Sequence, residues 1–137
     1  MKRPINILTT FDQDFLQHAV VMLRSLFYNH PLQEFNLFIY TDNKLKTEEK
    51  LLEEFQNDKV TFCYIDFNPD QFPSIKTKFH YGENYYKIIY LRLNIGELLP
   101  DQDRILLLDT DLVIDGDITD FYHQDLEEDH LFAAVAE

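Results

Sequence analysis

Glycine, cysteine, tryptophan and basic side chains are all scarce in this 137-residue chain: three Gly, one Cys, no Trp, and 12 Lys plus Arg against 25 Asp plus Glu. Each scarcity removes a class of function. Gly82, Gly96 and Gly116 lie too far apart to build a Gly-x-Gly-x-x-Gly turn or a Gly-Lys-Ser/Thr loop, which excludes glycine-fingerprint dinucleotide enzymes and P-loop enzymes. Cys63 alone forms neither an internal disulfide nor a zinc cage, so a reducing compartment, the cytoplasm, is expected. The net charge of −13 repels phosphate backbones and anionic headgroups, so neither nucleic acid nor a membrane surface is an expected partner. The apolar stretch after Met1-Lys2-Arg3 is short and broken by Asn6, too little for a signal peptide, and no run is long enough for a transmembrane segment.

What is present is core material. With 45% hydrophobic residues, 12 Phe and 8 Tyr, a single globular unit over residues 1–137 is expected, and disorder is not. Ile5 to Thr10 reads as a buried strand. Asp14 stands where a helix N-cap belongs, with Gln17 three residues on, and Phe15, Ala19, Leu23, Leu26 and Phe27 follow at helical spacing until Pro31. Phe35 to Tyr40 reads as a second strand, Thr47-Glu48-Glu49 as the opening of a second helix, and Val60 to Phe67 as a third strand. Residues 68–82, with Pro69 and Pro73, read as a surface loop, and Tyr85 to Leu99 as a helix ended by Pro100. The apolar run within Arg104 to Asp109 predicts a central strand buried on both faces. Alternating strands and helices predict an α/β fold with a mostly parallel sheet, whose ligand crevice lies beyond the strands' carboxyl ends, near Thr10, Asp66 and Asp109. Residues 131–137 form an apolar, strand-like run with nothing after it to cover it, so the chain is expected to be the N-terminal part of a longer protein.

The strongest chemical signal is Leu107-Leu108-Asp109-Thr110-Asp111. In an extended backbone residues i and i+2 share a side, so Asp109 and Asp111 can converge, and two carboxylates there repel unless a hard divalent cation lies between them. Mn²⁺ or Mg²⁺ suits such oxygen donors and would bridge a diphosphate in an otherwise anionic protein. The same residues also read as turn formers and solvated strand ends, because Asp115-Gly116-Asp117 follows with turn chemistry. His18, His30, His80, His123 and His130 show no mutual metal spacing.

Three segments in order, Ile5 to Phe15, Tyr90-Leu91-Arg92-Leu93 and Leu107 to Asp111, resemble family 8 glycosyltransferases, including the general-stress and lipopolysaccharide-galactosyltransferase-like members. The resemblance covers essentially the whole chain. It implies a retaining hexosyltransferase of GT-A fold (Rossmann-like), here its donor-binding part, that moves a sugar from a UDP-sugar to a glycan, protein or lipid-linked acceptor using Mn²⁺ or Mg²⁺. Carried over by position, Asp109 and Asp111 are the metal ligands of the Asp-x-Asp motif, with Thr110 between them, and Asp111 also lies close to the ribose. Thr10 and Asp12 contact the nucleoside, Phe15 takes the place of an aromatic, usually Tyr, that stacks on the base, and Arg92 reaches the donor sugar and phosphate. Each has a plainer reading: Phe15 as a core contact, Thr10 as a strand cap, Asp12 or Asp14 as a helix cap, and Arg92 as a cation paired with Glu83 or Glu97. The family's third metal ligand, a downstream histidine, has no counterpart, since His123 and His130 stand too near Asp111. No nucleophile is identifiable. The alternatives are a UDP-sugar-binding module or inactive fragment without turnover, and a haloacid-dehalogenase-like Mg²⁺ phosphatase, whose motif normally lies near the N-terminus and continues Gly-Thr, whereas Leu112-Val113 follow Asp111 here.

Overall fold

Alternation along the first strand sets the layers. A computed structural model describes residues 3–55, 59–66, 91–126 and 132–134. In β1 (Ile5–Phe11), Ile5, Ile7 and Phe11 face one apolar cluster, whereas Leu8 belongs to a second cluster on the opposite face. Ahead of α1 (Leu16–Asn29) the chain makes a single 3-10 turn at Gln13–Phe15. The cap of this entry is Asp12, not Asp14: Asp12 Oδ1 accepts from the backbone N–H of Asp14 at 3.1 Å and of Phe15 at 3.2 Å. Ala19, Met22, Leu23 and Leu26 of α1 are fully buried against the first face, the spacing expected of one helical stripe.

β2 (Phe35–Thr41) pairs parallel to β1 with Ile5 opposite Phe35 and Phe11 opposite Thr41. α2 (Lys44–Glu54) begins three residues earlier than Thr47 suggested, because Asn43 Oδ1 accepts from the Lys46 N–H at 3.2 Å and caps the helix. Thr47 is buried inside that helix, its hydroxyl 3.3 Å from that of Thr41. β3 (Val60–Tyr64) adds on the outer side of β2; residue 67 and the expected loop over 68–82 lie outside the described residues. Of the helix expected over Tyr85 to Leu99, residues 85–90 also lie outside, 91–93 are helical, Asn94 interrupts, and α3 (Ile95–Leu98) resumes it.

The Arg104 to Asp109 strand is the main correction. β4 is Leu106–Leu107 only, and it lies beside β1 at the edge of the described sheet, whose order is β3-β2-β1-β4, all parallel. Its start is shortened because the Arg104 carbonyl accepts from the Asn6 side-chain amide at 3.2 Å and the Tyr122 hydroxyl at 3.1 Å, not from a neighbouring strand. Apolar clusters touch both of its faces, Leu106 and Leu108 on the α1 side and Ile105 on the side of Leu91, Ile95, Leu98 and Leu99, but the burial is partial, with Leu107 39% exposed. After Asp111 the chain runs back along α1 and is strapped to it. Ile114 donates its N–H to Ser25 Oγ at 2.9 Å, and its carbonyl accepts from the Asn29 amide at 2.7 Å. Ile118 donates its N–H to Nε2 of buried His30 at 2.8 Å, so Nδ1 carries the proton and donates to the Leu26 carbonyl at 2.7 Å. His30 is thus structural. At Gly116, φ is +156°, a conformation that side chains with a Cβ rarely adopt, consistent with the turn expected over Asp115-Gly116-Asp117. α4 (Thr119–Tyr122) follows. Of the terminal run expected to be strand-like, residues 132–134 are neither helix nor strand, Phe132 is exposed, and the remainder is outside the described residues.

Candidate donor site at the strand switch point

Strand order reverses between β1 and β4: the chain moves outward from β1 to β2 and β3, then crosses back to the other side of β1. In open parallel sheets this reversal opens a crevice at the carboxyl ends of the two strands. The register places specific residues there. Ile7 lies opposite Leu106 and Leu8 opposite Leu107, and the Leu108 N–H donates to the Leu8 carbonyl at 3.0 Å. Continuing that register lays Asp109 beside Thr10. Alternation puts Thr10 on the Leu8 face of β1, the face covered by Leu91, so residue 92 of the same helical turn reaches both strand ends.

Arg92 joins them. Its Nη2 donates to the Thr10 hydroxyl at 3.3 Å and forms an ion pair with Asp109 Oδ1. Of the plainer partners expected for Arg92, Glu83 lies outside the described residues, and among the described ones the ion pair is with the Asp-x-Asp segment and not with Glu97. Thr10 is buried, whereas the side chains of Arg92 and Asp109 are 32% and 55% exposed, so the pair faces solvent from a dry floor. Arg92 Nε is buried and has no hydrogen-bond partner among the described residues. An orphaned donor beside a carboxylate marks a cationic group whose hydrogen-bonding capacity is incompletely used.

The carboxylates do not continue as an extended strand. Thr110 and Asp111 form a turn, Thr110 is buried, and Asp111 is exposed. Among the described residues no group of three or more His, Cys, Asp or Glu could hold a metal ion, so Asp109 and Asp111 make at most part of a coordination shell. Two carboxylates nevertheless fit Mg²⁺ or Mn²⁺ chemistry, in which phosphate oxygens and water commonly complete the shell. Phe15 is 44% exposed at the mouth of the β1–α1 loop, with its ring centroid 5.0 Å from that of His18, and is not a core contact. Asp66, at the end of β3, is separated from Thr10 by β2 and does not join the cluster. Two neighbours escaped sequence reasoning. Tyr40 lies opposite Thr10 on β2, and burial, then the charge of Asp42, pushes its phenol pKa upward, which keeps it neutral. Gln13, in the loop after β1, has a buried Oε1 without a partner among the described residues. Tyr40 could have been found from its position two residues after Phe38 on the same strand face; Gln13 carried no signal. A separate open groove of about 750 Å³ between Arg24, Phe55 and Asp115 includes none of the expected donor residues.

Residues 6–137 match the sequence model described as "Glycosyl transferase family 8". Probable galacturonosyltransferase-like 4 of Arabidopsis thaliana is 26% identical over 134 aligned residues, covering 90% of this chain and 36% of that protein. The structure of galactosyltransferase LgtC in complex with donor and acceptor sugar analogs superposes with a TM-score of 0.66 at 22% identity, over 88% of this chain and 43% of that one. Apo mouse xyloside xylosyltransferase 1 gives 0.68 at 22% identity, over 88% and 48%. The chain therefore spans less than half the length of each of these proteins.

Proposed function

The chain belongs to glycosyltransferase family 8 and has that family's GT-A fold, and on this premise we propose that it forms the donor-binding part of a retaining hexosyltransferase that takes a UDP-sugar. One observation carries the reading: Thr10, Arg92 and Asp109, drawn from three distant segments, meet at the strand switch point. An anionic diphosphate could approach this acidic protein only where charge is locally reversed, and Arg92 supplies a fixed planar cation there.

In this proposal Asp109 and Asp111 would hold Mn²⁺ or Mg²⁺ beside the donor diphosphate. The ion, when bound, supplies Lewis-acid stabilisation of the negative charge that develops on the departing UDP. The chain's own residues position. Phe15 offers an exposed π-face to the uracil ring. Asp12 uses Oδ1 to cap the turn that presents Phe15, and its second carboxylate oxygen is assigned to the base. Arg92 orients the sugar-phosphate, Thr10 and Thr110 line the floor, and Asp111 lies toward the ribose.

The named relatives are galacturonosyl-, galactosyl- and xylosyltransferases, so the family accommodates more than one sugar, and the acceptor, whether glycan, protein or lipid-linked, is left open. The family match over residues 6–137 leaves no place for the phosphatase reading. A binding module without turnover remains the second reading, favoured by the incomplete ligand set among the described residues. Thermal shifts with UDP, Mn²⁺ and both test the proposal, because a ligand that binds only the folded state raises its stability. Stabilisation by UDP that requires Mn²⁺ and disappears in Asp109→Asn/Asp111→Asn is expected. No shift in a folded sample overturns donor binding by this chain.

A further inference from the structure

The donor site already contains a cation of its own. Arg92 Nη2 bridges Asp109 and Thr10, yet its Nε is buried without a partner among the described residues. A guanidinium fully matched to a carboxylate makes two parallel hydrogen bonds, and this one engages through Nη2 alone. The contact is also substantially exposed, and exposed ion pairs are weak, whereas a buried N–H without an acceptor is unfavourable. The pair is therefore held shallowly. A divalent ion on Oδ1 of Asp109 would be repelled by the guanidinium at contact distance, so the two compete for that oxygen.

Resting on the donor-site reading, we infer that Arg92 is a displaceable counter-ion of Asp109: the guanidinium and a divalent cation occupy Oδ1 of that carboxylate in alternation. Once displaced, Arg92 presents its unpaired Nε–H together with a freed Nη2 to an anionic oxygen, such as a phosphate oxygen of the donor. Metal and diphosphate then bind cooperatively, each removing part of the cost of the other, and by linkage the enhancement is the same in both directions. The single arginine thus couples two ligands without touching both at once.

The test combines Mn²⁺ titration, read as free ion by electron paramagnetic resonance, with NMR of the arginine Nε–H groups during titration with diamagnetic Mg²⁺. Asp109→Asn/Asp111→Asn provides the baseline for nonspecific binding to the acidic surface. We expect Arg92→Gln to bind Mn²⁺ at the specific site about fivefold more tightly than the unmodified chain, while losing part of the further tightening that UDP confers. In the unmodified chain the Arg92 Nε signal should move with Mg²⁺ while those of Arg3, Arg24 and Arg104 stay in place. Tighter binding in Arg92→Gln with an unmoved Arg92 signal would mean through-space repulsion only and overturns displacement. Equal affinity with an unmoved signal also overturns it, and leaves the donor-site reading standing if the Asp variant loses the specific site. An Asp variant that binds Mn²⁺ as the unmodified chain does overturns both. The NMR arm needs no Arg92 variant, so it decides the matter even if Arg92→Gln fails to fold.

Discussion

Asp12 and Phe15 are separated by one turn of chain and divide the work of the β1–α1 loop between them. Asp12 stabilises the loop, since its carboxylate satisfies two backbone N–H groups that the helix entry would otherwise leave open. Asp12→Ala is expected to lower stability by about 1 kcal/mol, measured by denaturant unfolding, with Asp12→Asn retaining most of it because the amide oxygen still accepts. Phe15 contributes little to folding because 44% of it is exposed. Phe15→Ala should therefore leave the unfolding midpoint nearly unchanged while weakening UDP binding by about 1 kcal/mol, roughly fivefold, and Phe15→Tyr should preserve it. Calorimetric titration of UDP in the presence of Mn²⁺ separates the two effects; equal losses of stability and binding would assign Phe15 to the fold instead.

At the scale of elements, β1 and α1 carry the structure and β4 carries only position. Leu23 is wholly buried between α1 and the sheet, and Leu23→Ala is expected to cost about 2–5 kcal/mol in unfolding free energy, against a negligible change for exposed Val21→Ala. Thr9 is a different case: it is fully buried on β1 and its hydroxyl has no hydrogen-bond partner among the described residues. Thr9→Val should accordingly raise stability by about 1 kcal/mol in the same assay, since it removes a polar group that burial penalises. The elements readable in advance were those whose apolar spacing has one physical cause, as in β1, α1 and β2, where one period matches one buried face. Where two causes share a pattern the reading failed. The apolar run at 105–108 suggested a fully buried central strand, but a two-residue strand at the edge of the described sheet, partly buried on its two faces and leaning on Asn6 and Tyr122, produces the same letters. Helix starts shifted for a related reason: Asp12 and Asp14, or Asn43 and Thr47, are all capable caps, and only backbone geometry chooses between them.

Over the whole molecule, the charge of −13 acts as self-repulsion on the folded chain, and added NaCl should raise the midpoint of thermal unfolding by screening it. Titration limits stability from both sides. Hydrogen bonds from Thr119 hold Asp117 below its ordinary value of 3.8, and Lys50 with Arg24 holds Glu54 below 4.5. Their contribution is complete above those ordinary values and is lost as pH falls through the lower folded ones, so thermal midpoints should decline below about pH 4 and decline less in Asp117→Asn. Burial, with Glu48 second, pushes the Tyr64 phenol up to about 12, so its contribution is present below pH 10.0 and is lost as pH rises toward 12, a loss that Tyr64→Phe should remove. By itself the sequence determined the class of fold, the exclusion of glycine-loop phosphate sites, the Asp-x-Asp pair and the family, because these depend on residue type and local spacing. The tertiary structure decided that Arg92 pairs with Asp109, and that Thr10 joins them while Asp66 does not. Those outcomes depend on which strand neighbours β1 and in what register, and strand order is set by long-range packing that no local pattern encodes.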